Sequence, residues 1–136
     1  MVKERSAGIV IVSLNGNFLL LNYTAGHWDF SKGHVEKGES DIEAAKRELN
    51  EETRISNVAL ISGFKESLSY FFTLEKQKIF KEVVFFLGTV ESEKVRLSDE
   101  HIGFEWLPYE AALNRITFKT SRNILRKAKV FLHQHG

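Results

Sequence analysis

Arg47, Glu48, Glu51 and Glu52 crowd six positions of a predicted helix. At ~100° per residue, the three glutamates fall within an arc of about 100°. The arc lies beside the apolar stripe of Ile42, Ala45 and Leu49, so the carboxylates stand at the margin of a buried face. Like charges at these spacings repel by about 0.2–0.5 kcal/mol each even when solvated, and partial burial raises that cost unless something neutralises them. Arg47 brings one positive charge against three negatives. A hard divalent cation, which takes oxygen ligands, would neutralise the remainder. A solvated surface helix accommodates the same residues, and from the helix alone it is the simpler reading. The preceding loop points the other way. Gly33 and Gly38 bracket a turn whose backbone groups are free to join a metal or phosphate site, with Lys32 immediately before it.

Local signals predict the elements that carry these residues. Ser6–Leu14 is rich in β-branched residues and leads into Asn15-Gly16, a two-residue hairpin signal, and then a second strand over Phe18–Tyr23. Trp28–Phe30 reads as a short third strand and Ser31–Glu39 as a loop. Ser40 is the predicted N-cap of the glutamate-bearing helix, with Glu43 completing a capping box and the helix running to about Thr53. Ile55–Phe72 and Ile79–Val90 read as two long strands joined by a polar Thr73–Lys78 turn, and a short strand follows at Phe104–Leu107. Pro108 suits the first turn of a helix ending near Arg115. Thr120 or Ser121 is expected to cap a final helix through His133. This order predicts a single α/β (α+β) domain over residues 1–136, with helices layered on a mixed sheet.

Composition narrows the function classes. The chain has no cysteine, which removes disulfides and thiolate chemistry and would leave zinc to His and carboxylate ligands. A net charge of +1 argues against a stable nucleic-acid complex held by bulk electrostatics. The five basic residues between Lys119 and Lys129 read as the solvated face of the last helix. Neither a signal-peptide stretch nor a membrane-length apolar run is seen, so a cytoplasmic protein without membrane contact is expected. Without a heptad pattern or a long apolar patch, a monomer is expected.

Gly33, Glu39 and the run Arg47-Glu48-Leu49-Asn50-Glu51-Glu52-Thr53-Arg54-Ile55 together resemble the Nudix box, G-x5-E-x7-R-E-U-x-E-E-x-G-U with U aliphatic. Every specified position matches except Arg54, where the box has glycine. Glycine there fits a left-handed C-cap; Arg54 must either accept that conformation at a cost of about 1 kcal/mol or end the helix differently. His27–Glu39 resembles the corresponding entry of the asymmetrical diadenosine tetraphosphate hydrolases, with Ser31 where those enzymes usually have proline. Gly63–Glu66, Tyr70, Lys81, Leu97–His101 and Trp106-Leu107 extend the resemblance over nearly the whole chain. It implies a Nudix-type α/β/α sandwich with a mixed central sheet.

The resemblance also implies a chemistry: hydrolysis of a phosphorus anhydride in a dinucleoside polyphosphate or other nucleotide, dependent on Mg²⁺, with Mn²⁺ as the alternative ion. Glu48, Glu51, Glu52 and the Gly33 carbonyl would hold the metal. Glu39 and Arg47 would form a supporting ion pair. Glu100 would be the remote ligand or general base, with Glu93 as its competitor and an ordinary exposed acid as the plain alternative. Lys32 and Lys81 would neutralise phosphates, although Lys81 also fits an edge-strand lysine. His34 would hydrogen-bond phosphate or simply be exposed. Tyr70 and Phe118 would sandwich an adenine, with Phe118 equally readable as core. The implied reaction is asymmetric cleavage of diadenosine tetraphosphate to ATP and AMP. Removal of pyrophosphate from RNA 5′ ends, hydrolysis of another nucleoside polyphosphate, and a catalytically silent nucleotide-binding module are the alternatives.

Overall fold

The computed structural model describes residues 1–135. Its frame is one long parallel pair: β1 (Val2–Ser13) runs beside β7 (Gln77–Val90), in unbroken register from Val2 opposite Ile79 to Ser13 opposite Val90. The remaining strands attach to this pair antiparallel. On the β1 side are β2 (Phe18–Tyr23) and β4 (Ser31–His34), with β3 (Trp28–Asp29) and β8 (His101–Leu107) extending from β2. On the β7 side are β5 (Ala59–Leu60) and β6 (Glu66–Leu74). The sheet is therefore mixed, as expected.

Both faces of β1 and β2 are apolar, which a sheet needs when it is covered on both sides. Ala7, Ile9, Ile11, Leu19 and Leu21 pack under α1 (Asp41–Thr53), against Ala44, Ala45 and Leu49. Val10, Val12, Phe18 and Leu20 point the other way, onto Phe85 and Leu87 of β7 and onto Ala112 of α2 (Tyr109–Arg115) and Ile124, Leu125 and Ala128 of α3 (Lys119–His135). The result is the expected three-layer α/β/α arrangement. Among the described residues, no helix is long and apolar enough to cross a membrane.

Helix α1 starts as its sequence predicts. The Ser40 side chain accepts from the Glu43 amide at 3.2 Å, while the Glu43 carboxylate accepts from the Ser40 amide at 2.8 Å. Its end resolves the question raised by Arg54, which takes the left-handed conformation (φ 64°, ψ 12°) as C-cap, its amide bonded to the Asn50 carbonyl at 2.8 Å. The segment between β7 and β8 docks on this end: the Arg96 amide donates to the Thr53 carbonyl and the Ser98 amide to that of Glu52.

Four local readings change. Residues 31–34 form a strand, not a loop, because β1 is longer than β2 and leaves the edge at Ser6–Ile9 for Ser31–His34 to fill. Ile55–Phe72 is not one strand: Gly63 turns the chain at φ 98°, where a Cβ would also lie 3.2 Å from the Phe131 ring, and two shorter strands share the edge of β7. The first hairpin closes over Leu14–Asn17, with Ser13 donating to the Asn17 carbonyl, instead of over two residues. Helix α3 begins at Lys119, ahead of the predicted caps Thr120 and Ser121, and the Phe118 carbonyl accepts from the Arg122 amide at 3.0 Å.

Because Arg54 is exposed and holds a positive φ that glycine adopts freely, Arg54→Gly should stabilise the protein by up to about 1 kcal/mol. Urea unfolding of the two proteins measures this; a less stable variant would show that the arginine side chain contributes more than its backbone strain costs.

Candidate active site

The site is assembled across β4. Register with β1 decides where its side chains go: Ser31 and Gly33 lie opposite Ile9 and Ala7, on the α1 face, whereas Lys32 and His34 lie opposite Gly8 and Ser6, on the α3 face. One short strand thus serves two half-sites.

On the α1 face, Gly33 is required by proximity alone. A Cβ at this position would fall onto the Glu48 carboxyl group, so a larger residue would push that side chain away. Arg47 ties the half-site together. Its guanidinium meets both Glu39 oxygens (2.8 and 3.1 Å), the His34 carbonyl (2.9 Å), Glu48 (3.0 Å) and Glu51 (3.2 Å). Strand, loop and helix are therefore held by a single planar cation, and the Glu39–Arg47 ion pair holds Glu39 below the usual carboxylate range.

Glu52 lies inside this arrangement, 3% exposed. The Ser31 hydroxyl donates to its Oε1 at 2.6 Å, and His101 Nε2 stands 3.6 Å from Oε2. Burial pushes Glu52 up to about 8; the Ser31 hydrogen bond opposes the rise, and the nearby charges of Glu48 and Glu100 add to it. Burial also raises Glu48, against the pull of Arg47. Glu100 is exposed in the segment that docks on the end of α1, close enough for its charge to act on both glutamates. Glu93 is elsewhere: it accepts from Ser13 Oγ at 2.6 Å and Asn17 Nδ2 at 3.0 Å and locks the first hairpin, which removes it as the competitor of Glu100.

These residues fit a hard divalent cation by their unmet demand. The donors of Arg47 are spent on Glu39, Glu48, Glu51 and His34, and Lys32 is engaged by Asp29 at 3.3 Å, so among the described residues no cation contacts Glu52 apart from a buried histidine beyond hydrogen-bond distance. Among the described residues, no three His, Asp or Glu side chains are already gathered into a cage, because Glu48 and Glu51 are turned onto Arg47.

The other half-site is a cavity of about 330 Å³ on the α3 face. Exposed Tyr70 and Phe118, 43% and 45% accessible, line it together with Lys32 and Asp29, over buried Val83 and Phe85. Phe118 is therefore not core; its ring packs 5.2 Å from that of His27. Lys81 is buried on β7, opposite Glu4 of β1 and Tyr70 of β6, so the edge-strand alternative does not hold. Its ammonium lies 3.5 Å from Glu4 and 3.3 Å from His34 Nε2, and burial depresses its pKa. Lys32 sits 4.8 Å over the Tyr23 ring. Asp29, Ser31, His27 and His101 lie in stretches that carry the resemblance, but the sequence assigns none of them a role in the site. Each acquires its place from strand register or from the docking of a distant segment.

The NUDIX domain model matches residues 2–128. The mouse (Mus musculus) bis(5'-nucleosyl)-tetraphosphatase [asymmetrical] is 40% identical over 121 residues, covering 85% of this chain and 80% of its own. The Caenorhabditis elegans protein of the same name is 35% identical over 136 residues, covering 94% of this chain and 96% of its own. The crystal structure of a C. elegans Ap4A hydrolase binary complex superposes with a TM-score of 0.84 at 32% identity, covering 96% of this chain and 98% of that one.

The buried Glu52 carboxyl predicts an inverted pH dependence of stability for the protein in chelator. Between the ordinary value of 4.5 and about 8, the folded protein holds a proton that the unfolded chain has released, so stability falls as pH rises through that window and levels off above it. Urea unfolding from pH 5 to 9 should show this slope, and Glu52→Gln should remove it and be the more stable protein at pH 8. An equal slope in both proteins would exclude Glu52 as its source.

Proposed function

The chain belongs to the NUDIX domain family, and on that premise we propose that it cleaves diadenosine tetraphosphate asymmetrically, to ATP and AMP, as a Mg²⁺-dependent cytoplasmic monomer. It is a Nudix hydrolase related to the asymmetrical diadenosine tetraphosphate hydrolases. The observation that carries the substrate reading is the pairing of two half-sites across β4, carboxylates on one face and two lysines with two exposed aromatic rings on the other.

Nudix hydrolases generally use divalent metals. In this chain Glu48, Glu51 and Glu52 would hold Mg²⁺, or Mn²⁺, with the Gly33 carbonyl and Glu100 completing the set. The ion supplies neutralisation of phosphate oxygens and activation of the attacking water. Arg47 acts as a positioning residue, fixing Glu48 and Glu51 through its own contacts. Glu100, whose charge acts on Glu48 and Glu52, would serve as the remote ligand or as the base that accepts the proton of the attacking water. Lys81 and Lys32 would offset phosphate charge on the α3 face, and His34, whose Nε2 lies 3.3 Å from the Lys81 ammonium, would hydrogen-bond a phosphate oxygen. Tyr70 and Phe118 stack on one adenine, each base–ring contact contributing about 1–3 kcal/mol. In the balanced reaction, water oxygen bonds to one phosphorus, the bridging P–O bond breaks, and AMP and ATP leave.

Turnover of diadenosine tetraphosphate in heavy-oxygen water, with product analysis, tests the reading and shows from the labelled product which phosphorus is attacked. Glu52→Gln should lower kcat by about 10²–10³-fold in a protein that still folds. Tyr70→Ala or Phe118→Ala should instead raise KM by roughly 5- to 150-fold, in line with the loss of one stacked ring. Failure to turn over the dinucleotide, with release of pyrophosphate from triphosphorylated RNA, would move the assignment to an RNA 5′ pyrophosphohydrolase. Nucleotide binding without hydrolysis of either substrate would make it a silent binding module.

A further inference from the structure

Glu52 is the most deeply buried acid of the arc, and its position is fixed by very little. Its Oε1 receives a hydrogen bond from Ser31 Oγ at 2.6 Å. Its Oε2 faces His101 Nε2 at 3.6 Å, too far for a hydrogen bond, and among the described residues that nitrogen has no other partner. Ser31 is itself 2% exposed, on the strand that carries Gly33 against Glu48. Among the described residues the Ser31 hydroxyl is thus the single hydrogen-bond donor to the Glu52 side chain, and it comes from a different element.

We propose that Ser31 is a positioning residue for Glu52, its hydroxyl holding the carboxylate in the orientation that receives a divalent cation. The inference rests on the reading of the glutamate arc as the cation site. A carboxylate has room for about four hydrogen bonds or ligands over its two oxygens, so the Ser31 bond occupies one lone pair of Oε1 and leaves others available. Without it, Glu52 would turn within its pocket toward His101, and each binding event would have to recover the lost orientation. Removing an outer partner that orients a metal ligand typically weakens affinity by about 10- to 100-fold. A merely structural hydroxyl would cost stability and leave the cation alone.

The test is titration of the full chain with Mn²⁺ alone, following free ion by electron paramagnetic resonance, with melting temperature recorded alongside. Ser31→Ala should weaken Mn²⁺ binding by about 10-fold or more, and Ser31→Thr, which keeps the hydroxyl, should restore it. In the Glu52→Gln background, Ser31→Ala should cause no further loss, because the two residues act through one another. Affinity unchanged in Ser31→Ala, or an equal loss in both backgrounds, would overturn the proposal while leaving the cation site standing. If Glu52→Gln itself bound Mn²⁺ as tightly as the unsubstituted protein, the cation reading of the arc would fall first and this inference with it.

Discussion

A buried carboxylate that its own protein does not neutralise is the constraint on which this structure turns. Glu52 is 3% exposed and one turn from Glu48, yet the guanidinium of Arg47 on the same helix is bound to Glu39, Glu48 and Glu51. Moving an unpaired charge out of water costs several kcal/mol even after relaxation, and the protein meets that cost by raising the Glu52 pKa to about 8 and supplying one hydroxyl. Such strain is expected where a ligand is meant to complete the balance. The glycine at 33, the Glu39–Arg47 pair and the segment docked on the end of α1 all fix groups around this one acid.

Strand alternation then decides how a polyanion can be handled. The parallel register of β1 and β7 puts Lys81, Val83 and Phe85 on the face away from α1, in the row of Glu4, Ser6 and Gly8. The antiparallel register of β4 puts Lys32 and His34 on that same face and Ser31 and Gly33 on the other. Among the described residues β4 pairs with β1 alone, so Lys32 and Lys81 meet Asp29 and Glu4 on one face while Glu48, Glu51 and Glu52 stay on the other, without an ion pair to either lysine. A chain of phosphates crossing the open edge of β4 would meet the carboxylate arc on one side and the lysines on the other.

What the sequence makes legible is what short-range geometry encodes. The capping box at Ser40, the helical wheel and the spacing from Gly33 to Ile55 are local, and α1 forms as they predict. The buried lysine at 81 is partly legible, because a charge within an apolar strand must find partners. Strand β4 is not legible, since Ser-Lys-Gly-His has no β pattern and pairs only because β1 presents a vacant edge. Likewise the site residues Asp29, Ser31 and His101 depend on contacts between distant elements, and the place of Phe118 at an exposed cavity wall depends on where α3 begins. Ser31 is instructive. It stands where the resembling enzymes usually have proline, in a stretch that reads as a loop, yet in the fold it sits in a paired strand and its hydroxyl reaches the central acid.

The same helical wheel explains why Arg47 cannot do the cation's work. At ~100° per residue, Arg47 lies beside Glu51, within reach of Glu48, and well over a quarter-turn of the wheel from Glu52. Its contacts follow that order: Glu51 and Glu48 are bound, whereas Glu52 is not. A guanidinium placed nearer Glu52 would neutralise the buried acid and abolish its demand for a ligand. The observed spacing instead leaves the outer two glutamates held by Arg47 and the inner one without a guanidinium partner. Arg47 orders the arc without saturating it, and that separation of tasks follows from a difference of one residue, between i+4 and i+5 along the helix.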